Sequence, residues 1–167
     1  MTMILRQYES KDGTAIAGWI RNIEELYNWS ADRYCKFPLT GSDIDENYAP
    51  MLSAGKFFPL TAVRDDGRIA GHFIIRYPDK SDESTVRFGF VIVDPALRGQ
   101  GRGSEMLRLG IEYVRQNFSA RRIDLGVFAD NVSAARCYGA VGFTEFGREM
   151  FPMPAGEREC ILMELML

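Results

Sequence analysis

The amino-acid sequence predicts an α+β fold, in which short helices precede a strand-rich remainder. Two apolar runs at residues 57–63 and 69–77 flank a turn that contains Asp66-Gly67, which is the strongest short-range signal of a β-hairpin. From Gly103 onward, apolar side chains recur at the spacing of an amphipathic helix. Residues 122–129 then alternate in the manner of a strand with one covered face. This order of strands and helices is typical of a mixed fold.

Each further element follows from its local pattern. Residues 3–8 read as a short strand, and residues 86–93 read as a central strand covered on both faces, because both alternation phases are almost entirely apolar. Residues 40–43 offer N-cap candidates for a helix that runs to about residue 54. The other predicted elements are helices at 15–21, 24–29, 103–118 and 132–141, and strands at 144–151 and 159–165.

Length, charge and cysteine spacing exclude several classes of protein. The 167 residues are the expected size of one domain, so we predict a single domain over residues 1–167. A net charge of -3 leaves no basic field for nucleic acid or an anionic membrane, and neither is expected as a partner. Three irregularly spaced cysteines and one histidine predict neither a disulfide framework nor a metal site. A cytoplasmic protein without a bound metal is therefore expected.

A glycine-rich segment is the feature that points to chemistry. Residues 98–103 read Arg-Gly-Gln-Gly-Arg-Gly and lie between a predicted strand and a predicted helix. The alternating glycines let backbone N–H groups turn towards a ligand, and the helix N-terminus adds a partial positive charge. This arrangement predicts a cradle for a pyrophosphate group, and a glycine-rich turn without a ligand is the alternative.

The spacing of the glycines discriminates between phosphate ligands. A dinucleotide fingerprint requires GxGxxG, whereas Gly99, Gly101 and Gly103 lie one residue closer together. Asp124 lies at about the distance of the ribose-binding acid, but a nicotinamide-binding fold would begin with the motif, whereas a hairpin precedes it here. A Walker loop is excluded because no Gly-Lys pair is followed by Ser or Thr.

The same segment resembles the signature of the GCN5-related N-acetyltransferase superfamily. That signature is Arg or Gln, two residues, Gly, one residue, then Gly or Ala, and Arg98, Gly101 and Gly103 meet it. A second stretch is similar to the family's next strand-helix motif, because Asn131 is followed by Tyr138 and then by Gly142-Phe143. The two motifs stand in the family order, with one predicted helix and one predicted strand between them.

The resemblance implies a particular architecture. It is an arrangement of α-β-α layers around a mixed, mostly antiparallel sheet of six to seven strands with about four helices. The strand that ends at Val93 would splay from the strand that ends at Asp130, which leaves a V-shaped groove for acetyl-CoA. Residues 1–56 would supply a strand and the acceptor-side helices, and residues 57–167 the acetyl-CoA-binding core and the C-terminal strands.

The resemblance also implies which residues bind acetyl-CoA. The backbone of residues 91–93 would pair with the pantetheine amides like an added strand, and the N–H groups at the helix start would hold the pyrophosphate. Asn131 would contact the pantetheine arm, while capping of the next helix is its alternative role. The implied contacts are Val91, Ile92, Val93, Arg98, Gly99, Gln100, Gly101, Arg102, Gly103, Ser104, Asn131 and Tyr138.

The implied activity is direct transfer of an acetyl group to a primary amine of a small molecule or a protein. A backbone N–H among residues 91–93 would stabilise the oxyanion. Tyr138 matches the family's general acid, since a phenol with a pKa near 10 suits protonation of a thiolate whose own pKa is about 8.5. A purely structural tyrosine at the rim of the core is the alternative.

The general base is less well defined by the sequence. Gly126 and Arg87 occupy positions where some relatives carry Glu, so a carboxylate base is in doubt. His72 has a suitable pKa range and is a candidate, beside a water chain that ends in another group. The missing carboxylate leaves an alternative function, a non-catalytic acyl-CoA-binding sensor or regulatory module of the same fold.

The acceptor side and the oligomeric state rest on fewer residues. Trp29 and Tyr34, in the early helical region, are candidates to bind a cationic amine through their ring faces, and packing of the helices onto the sheet is their alternative role. Residues 160–165 are apolar on both alternation phases. A homodimer through this strand is predicted, because such a strand would be a liability at a bare sheet edge.

Overall fold

The computed structural model describes residues 2–167 and is built on one seven-stranded sheet. The strands are β1 Met3–Gln7, β2 Phe57–Arg64, β3 Ile69–Arg76, β4 Thr85–Val93, β5 Arg122–Phe128, β6 Thr144–Phe151 and β7 Arg158–Met166. The helices are α1 Asp12–Gly18, α2 Ile23–Ser30, α3 Gly41–Ala54, α4 Arg102–Asn117 and α5 Val132–Ala140. The predicted α+β fold is confirmed, with five helices over the described residues instead of about four.

The sheet opens at one place. Its strand order is β1-β2-β3-β4-β5-β7-β6, and the β4–β5 pair is parallel while the other neighbouring pairs are antiparallel. The β4–β5 pairing runs only from Thr85 to Arg87, opposite Arg122 to Asp124. Beyond these three positions the two strands separate, and the predicted V-shaped opening lies there.

Helices cover both faces of the sheet. Phe73 and Ile74 are neighbours on β3 and therefore point to opposite faces. Phe73 belongs to the core under α4, and Ile74 belongs to the core under α1, α2 and α3. On α4, Gly110 permits close packing, because a Cβ there would lie 2.7 Å from Cζ of Phe73. The predicted α-β-α layers are confirmed.

Two expectations about the strands are wrong. Residues 160–165 do not form a sheet edge, because β7 lies between β5 and β6, and the edge strands are β6 and, at the other end of the sheet, β1. Both edges of β7 are paired within the sheet, so β7 is not free to pair with a second copy. β4 is not covered evenly on both faces, because Val91 and Val93 are only half-buried beside the opening. In the described part of the chain, no helix is both long and apolar enough to cross a membrane.

Candidate active site

A β-bulge interrupts β4 where the sheet opens. Phe73 on β3 lies opposite two residues of β4, Phe90 and Val91, because the register shifts between them. Phe90 has a φ of 50°, in the left-handed region that bulky residues rarely adopt. The bulge changes the phase of the strand, so that Phe88 before it and Val91 after it both contact the core under α4. Beyond Arg87, the β5-facing edge of β4 has no strand partner, so its backbone polar groups face the opening.

Trp29 on α2 stabilises this bulge. Its indole N–H donates a hydrogen bond of 2.8 Å to the carbonyl oxygen of Phe90. A left-handed conformation at a bulky residue is strained by about 1–3 kcal/mol, and the surrounding structure must compensate for it. Tyr34 stacks on Trp29 at 5.9 Å between ring centroids. Trp29 therefore reaches the opening, whereas Tyr34 lies behind it and lines neither of the two cavities described below.

The glycine-rich segment follows β4 and leads into α4. Gly99 and Gly101 have φ angles of 73° and 75°, which glycine adopts without the penalty that a Cβ would bring. Gly101 is the N-cap of α4 and offers no side chain to bond the first N–H groups of the helix. Gly103 lies close to α5, since a Cβ there would approach Sγ of Cys137 to 3.1 Å. The N-terminus of α4 is thus left open as an anion-binding surface.

A cavity of about 490 Å³ adjoins this segment, and we name it the glycine-loop cavity. Arg98, Arg102 and Arg136 line it, with Glu25 as the lining carboxylate. Hydrogen bonds from Arg21 to Glu25, of 2.7 and 3.0 Å, lower the pKa of the Glu25 carboxyl. The local charge is therefore positive in a chain of net charge -3.

Most of the residues that the sequence predicted to contact acetyl-CoA line this cavity. All the residues predicted to contact acetyl-CoA line it except Gln100, whose side-chain amide donates to the carbonyl oxygen of Ala96 at 3.0 Å. The lining residues that were not predicted for it are Trp19, Ile20, Glu25, Asn28, Trp29, Leu107, Ser133, Ala134, Arg136 and Cys137. Those on α5 lie between Asn131 and Tyr138, so helical periodicity was a usable signal. Those on α2, and Trp19 and Ile20 before it, carried no comparable signal.

A second cavity, of about 640 Å³, lies over β3, β4, β5 and β7, and we name it the sheet-face cavity. Its charged lining residues are Asp32, Arg33, Arg76, Arg87, Arg122, Asp124 and Glu149. The two cavities share the lining residues Asn28, Trp29, Val91, Asn131, Ala134 and Tyr138. They therefore meet between the bulge of β4 and the start of α5.

Tyr138 stands at this meeting point. The side chain is buried, its ring packs edge-on against Phe143, and its hydroxyl has no hydrogen-bond partner within residues 2–167. Burial raises the pKa of the phenol well above its ordinary value, with a smaller contribution from Cys137. The hydroxyl is therefore protonated at neutral pH and available to a bound molecule.

Asn131 also lies at the junction. It precedes α5 as the N-cap residue, yet its side chain makes no capping hydrogen bond. The alternative role that the sequence allowed, a helix cap, is therefore not realised. The side chain lines both cavities.

His72 lies away from both cavities. It is fully buried, and its Nε2 is 2.8 Å from the hydroxyl of Tyr48. Burial lowers the pKa of His72 to about 3. A general base must reach its substrate directly or through one water, so this placement does not support His72 as the base. Arg87 and Gly126 line the sheet-face cavity, and Arg87 is bonded to Asp124.

A comparison with protein-family models gives a match over residues 23–143 to the Acetyltransferase (GNAT) family. The chain belongs to this family. The matched span contains both cavities' shared residues and the glycine-rich segment. Residues 2–167 hold no group of three or more His, Cys, Asp or Glu side chains that could bind a metal ion.

Curated relatives include members of this family. A mycothiol acetyltransferase of Corynebacterium efficiens is 29% identical over 130 residues, which cover 75% of this chain and 40% of that protein. A spermine/spermidine N(1)-acetyltransferase of Bacillus subtilis is 28% identical over 74 residues, 44% of this chain and 48% of that protein. The chain thus spans less than half the length of these relatives.

Solved structures of GNAT proteins share the fold. A spermidine N-acetyltransferase from Vibrio cholerae, in complex with CoA and spermine, has a TM-score of 0.81 at 16% identity and covers 98% of this chain and 95% of its own. A ribosomal-protein-S5-alanine acetyltransferase from Vibrio fischeri has a TM-score of 0.77 at 18% identity, over 99% and 93% of the two chains. An aminoglycoside acetyltransferase in complex with coenzyme A has a TM-score of 0.75 at 19% identity, over 99% and 95%.

Proposed function

We propose that the protein is an acetyl-CoA-dependent N-acetyltransferase that transfers an acetyl group directly to a primary amine of a small molecule or protein. The observation that carries the proposal is the junction of two cavities at Tyr138, beside the unpaired edge of β4. A thioester in the glycine-loop cavity and an amine in the sheet-face cavity would meet there. Membership of the GNAT family and the CoA complexes of proteins with this fold support the proposal.

The glycine-loop cavity fits acetyl-CoA. The left-handed glycines Gly99 and Gly101 and the open N-terminus of α4 would hold the pyrophosphate, with Arg98 and Arg102 beside them. The free edge of residues 91–93 would accept and donate hydrogen bonds to the pantetheine amides, as an added strand does. The uncommitted side chain of Asn131 would bind the same arm.

Acetyl-CoA would supply an activated acyl group with a thiolate as leaving group. The amine nitrogen would attack the thioester carbon as the free base, and a backbone N–H at residues 91–93 would stabilise the resulting oxyanion. The C–N bond would form and the C–S bond would break. The bulge at Phe90 would direct the backbone N–H, because it turns the strand at the point where the cavities meet.

Tyr138 would protonate the departing thiolate. Its burial keeps the phenol protonated, and its hydroxyl is uncommitted within the described residues. The proton that the amine gives up would return through water to Tyr138, which replaces the proton given to the thiolate, so the transfer is balanced. We assign the amine's proton to a water chain in the sheet-face cavity, since His72 is sealed in the core and Arg87 is paired with Asp124.

A thermal-shift experiment with acetyl-CoA, free CoA and NAD tests the proposal. A ligand at 100 times its dissociation constant adds about 2.7 kcal/mol to stability, so acetyl-CoA and CoA should raise Tm while NAD should not. Thiol release with a panel of primary amines then measures transfer. Failure of acetyl-CoA and CoA to shift Tm would overturn the proposal. Binding without turnover of any amine would favour the acyl-CoA-binding sensor or regulatory module instead.

We also propose that the protein is cytoplasmic. The three cysteines, Cys35, Cys137 and Cys160, are free, as is usual for a protein of the reducing cytoplasm. The homodimer stays a prediction, and β1 and β6, rather than β7, are the sheet edges available for it. Sedimentation of the purified protein at several concentrations tests the homodimer.

A further inference from the structure

The sheet-face cavity contains four arginine side chains, and two of them are neutralised by carboxylates. Arg87 donates two hydrogen bonds to Asp124, of 2.7 and 3.0 Å. Arg122 donates to Glu164 at 2.5 Å and lies 3.5 Å from Asp124. Both carboxylates are therefore committed to these two arginines.

The other two arginines, Arg76 and Arg33, have no carboxylate partner within residues 2–167. The guanidinium of Arg33 lies 5.6 Å from the ring centroid of Phe90, and one of its nitrogens is 3.6 Å from Sδ of Met51. Arg76 is half-buried at the end of β3 and forms neither a hydrogen bond nor an ion pair with any described residue. Both side chains line the cavity.

Arg76 stands in an unfavourable electrostatic setting. It lies directly opposite Arg87 in the register of β3 and β4, so both side chains project from the same face of the sheet. Burial lowers the pKa of Arg76, and repulsion from Arg87 and Arg33 lowers it further, against a smaller opposing effect of Asp124. A half-buried cation without a counter-ion destabilises the free protein, and a bound anion would relieve that cost.

The remaining lining carboxylates do not neutralise Arg76. Glu149 lies on β6, and three strands, β4, β5 and β7, stand between β6 and β3. Asp32, like its neighbour Arg33, is exposed to solvent in the segment after α2, and Asp124 is the acidic group that acts on Arg76. The cavity is therefore polarised, with the unpaired guanidinium of Arg76 on the β3 wall and the carboxylate of Glu149 on the β6 wall.

We propose that the amine acceptor of this protein carries an anionic group, a carboxylate or a phosphate, which Arg76 binds with Arg33 beside it. The inference rests on the proposed function and specifies its substrate class. Guanidinium is the side-chain group best suited to bidentate binding of these anions. A polyamine has no anionic group and would bring a further cation towards Arg76.

The register gives the length of the acceptor. Arg76 is three residues along β3 from Phe73, which lies opposite the bulge where transfer would occur. At about 3.3 Å per residue, the backbone of Arg76 is roughly 10 Å along the strand from that of Phe73, and an acceptor of about this length would reach from the bulge to the row of Arg76. An extended tripeptide has about this separation between its amine and its carboxylate.

The first test needs no turnover. The protein saturated with CoA, so that the glycine loop is occupied, is titrated with inorganic phosphate by calorimetry, and Arg76→Gln is compared with it. Loss of a charge-assisted contact should weaken phosphate binding about 10-fold or more in Arg76→Gln. Arg68→Gln is the matched control, since Arg68 is an exposed arginine in the turn at the other end of β3 and should leave the affinity unchanged. Equal binding by Arg76→Gln and the parent, or none by the parent, would overturn the inference.

The second test compares acceptors that differ only in the anion. We expect kcat/KM for triglycine to exceed that for triglycinamide about 10-fold or more, and the ratio to fall towards one in Arg76→Gln through KM. Preference of the parent for triglycinamide or spermine would overturn the inference and leave acetyl transfer intact. If none of the three is acetylated, the phosphate titration decides. Failure of CoA to bind would instead count against the proposed function, while the difference between Arg76→Gln and the parent would still report on the anion site.

Discussion

Removal of the Tyr138 hydroxyl should slow acetyl transfer and leave CoA binding unchanged. We predict that Tyr138→Phe lowers kcat about 100-fold, the lower end of the usual contribution of a general acid, with little change in CoA affinity. Transfer rates by thiol release and CoA affinity by calorimetry measure the two effects. Tyr113→Phe is the matched control, because Tyr113 packs against Phe118 on α4 and lines neither cavity.

The raised pKa of Tyr138 also fixes a pH dependence. Because burial raises this pKa, the parent should not lose its acid below about pH 10, the ordinary value of a phenol. Loss of the Tyr138 proton should therefore not lower the rate across the neutral range. Equal activity of Tyr138→Phe and the parent at every pH would remove Tyr138 from the mechanism.

Gly101 is the residue of the glycine loop with the clearest backbone requirement. Valine at a φ of 75° is strained by about 1–2 kcal/mol, and the first N–H groups of α4 would shift with it. We predict that Gly101→Val abolishes CoA binding in a folded protein, as measured by calorimetry. Gly67→Val is the control, since Gly67 has a φ of 83° in the β2–β3 turn and should lose a similar stability while CoA still binds. Unchanged CoA affinity in Gly101→Val would contradict the role of the loop.

At the scale of the elements, a buried carboxylate joins β1, α1 and β2. Asp12 accepts hydrogen bonds from Arg6, of 2.7 and 2.8 Å, and from the hydroxyl of Thr61 at 2.8 Å. We predict that Asp12→Asn lowers the free energy of unfolding by about 3 kcal/mol, because it breaks a buried pair and leaves Arg6 uncompensated. Urea unfolding at pH 7 measures this change in the free energy of unfolding. Asp66→Asn, in the exposed turn, should change it by less than about 0.5 kcal/mol.

The Asp12 carboxylate also makes the free energy of unfolding depend on pH. Burial alone would raise the pKa of Asp12, but hydrogen bonds from Arg6, the N–H of Glu9 and Thr61 outweigh it and lower the pKa. The folded chain therefore binds this proton less readily than the unfolded chain, whose Asp pKa is about 3.9. The stabilisation is present above that pH and is lost as the pH falls below it. Asp12→Asn should flatten the fall in stability between pH 5 and the acid limit, and an unchanged slope would contradict this account.

The sequence predicted the boundaries of those elements that local turn and capping residues set. The residues around the Asp66-Gly67 turn predicted β2 and β3, and the capping residues Thr40 and Asp43 predicted the start of α3, which carries the reciprocal cap. α1 begins at Asp12 rather than Ala15, and the carboxylate of Asp12 is held by Arg6 and Thr61 on the neighbouring strands as well as by the N–H of Glu9. The contacts with the strands are not visible in the local pattern.

At the scale of the whole molecule, two cavities that meet at Tyr138 predict a ternary complex. Both reactants would occupy their cavities together, so initial-rate plots against either substrate should intersect instead of running parallel. Cys137 lines the glycine-loop cavity with its Sγ 3.5 Å from the hydroxyl of Ser104. Cys137→Ser should keep the activity, because no acyl-enzyme forms on it. Parallel plots together with loss of activity in Cys137→Ser would contradict direct transfer.

The sequence by itself determined the fold class and the glycine-loop cavity. These depend on short-range features: the alternation of apolar residues, the turn at Gly67, and the motif residues Arg98, Gly101 and Gly103, which act through a contiguous backbone. Asn131 and Tyr138 were found because the second motif is one contiguous stretch, residues 131–143, around α5.

The tertiary structure alone decided the arrangement of charges in the sheet-face cavity. Arg76, Arg87 and Asp124 belong to three strands, and only their register brings them to one row, where the pairing of Arg87 with Asp124 leaves Arg76 without a partner. The burial of His72 and the interior position of β7 likewise depend on which strands pair. Pairing between distant strands is set by the packing of the whole core, so no local pattern encodes which charges meet and which one stays unpaired.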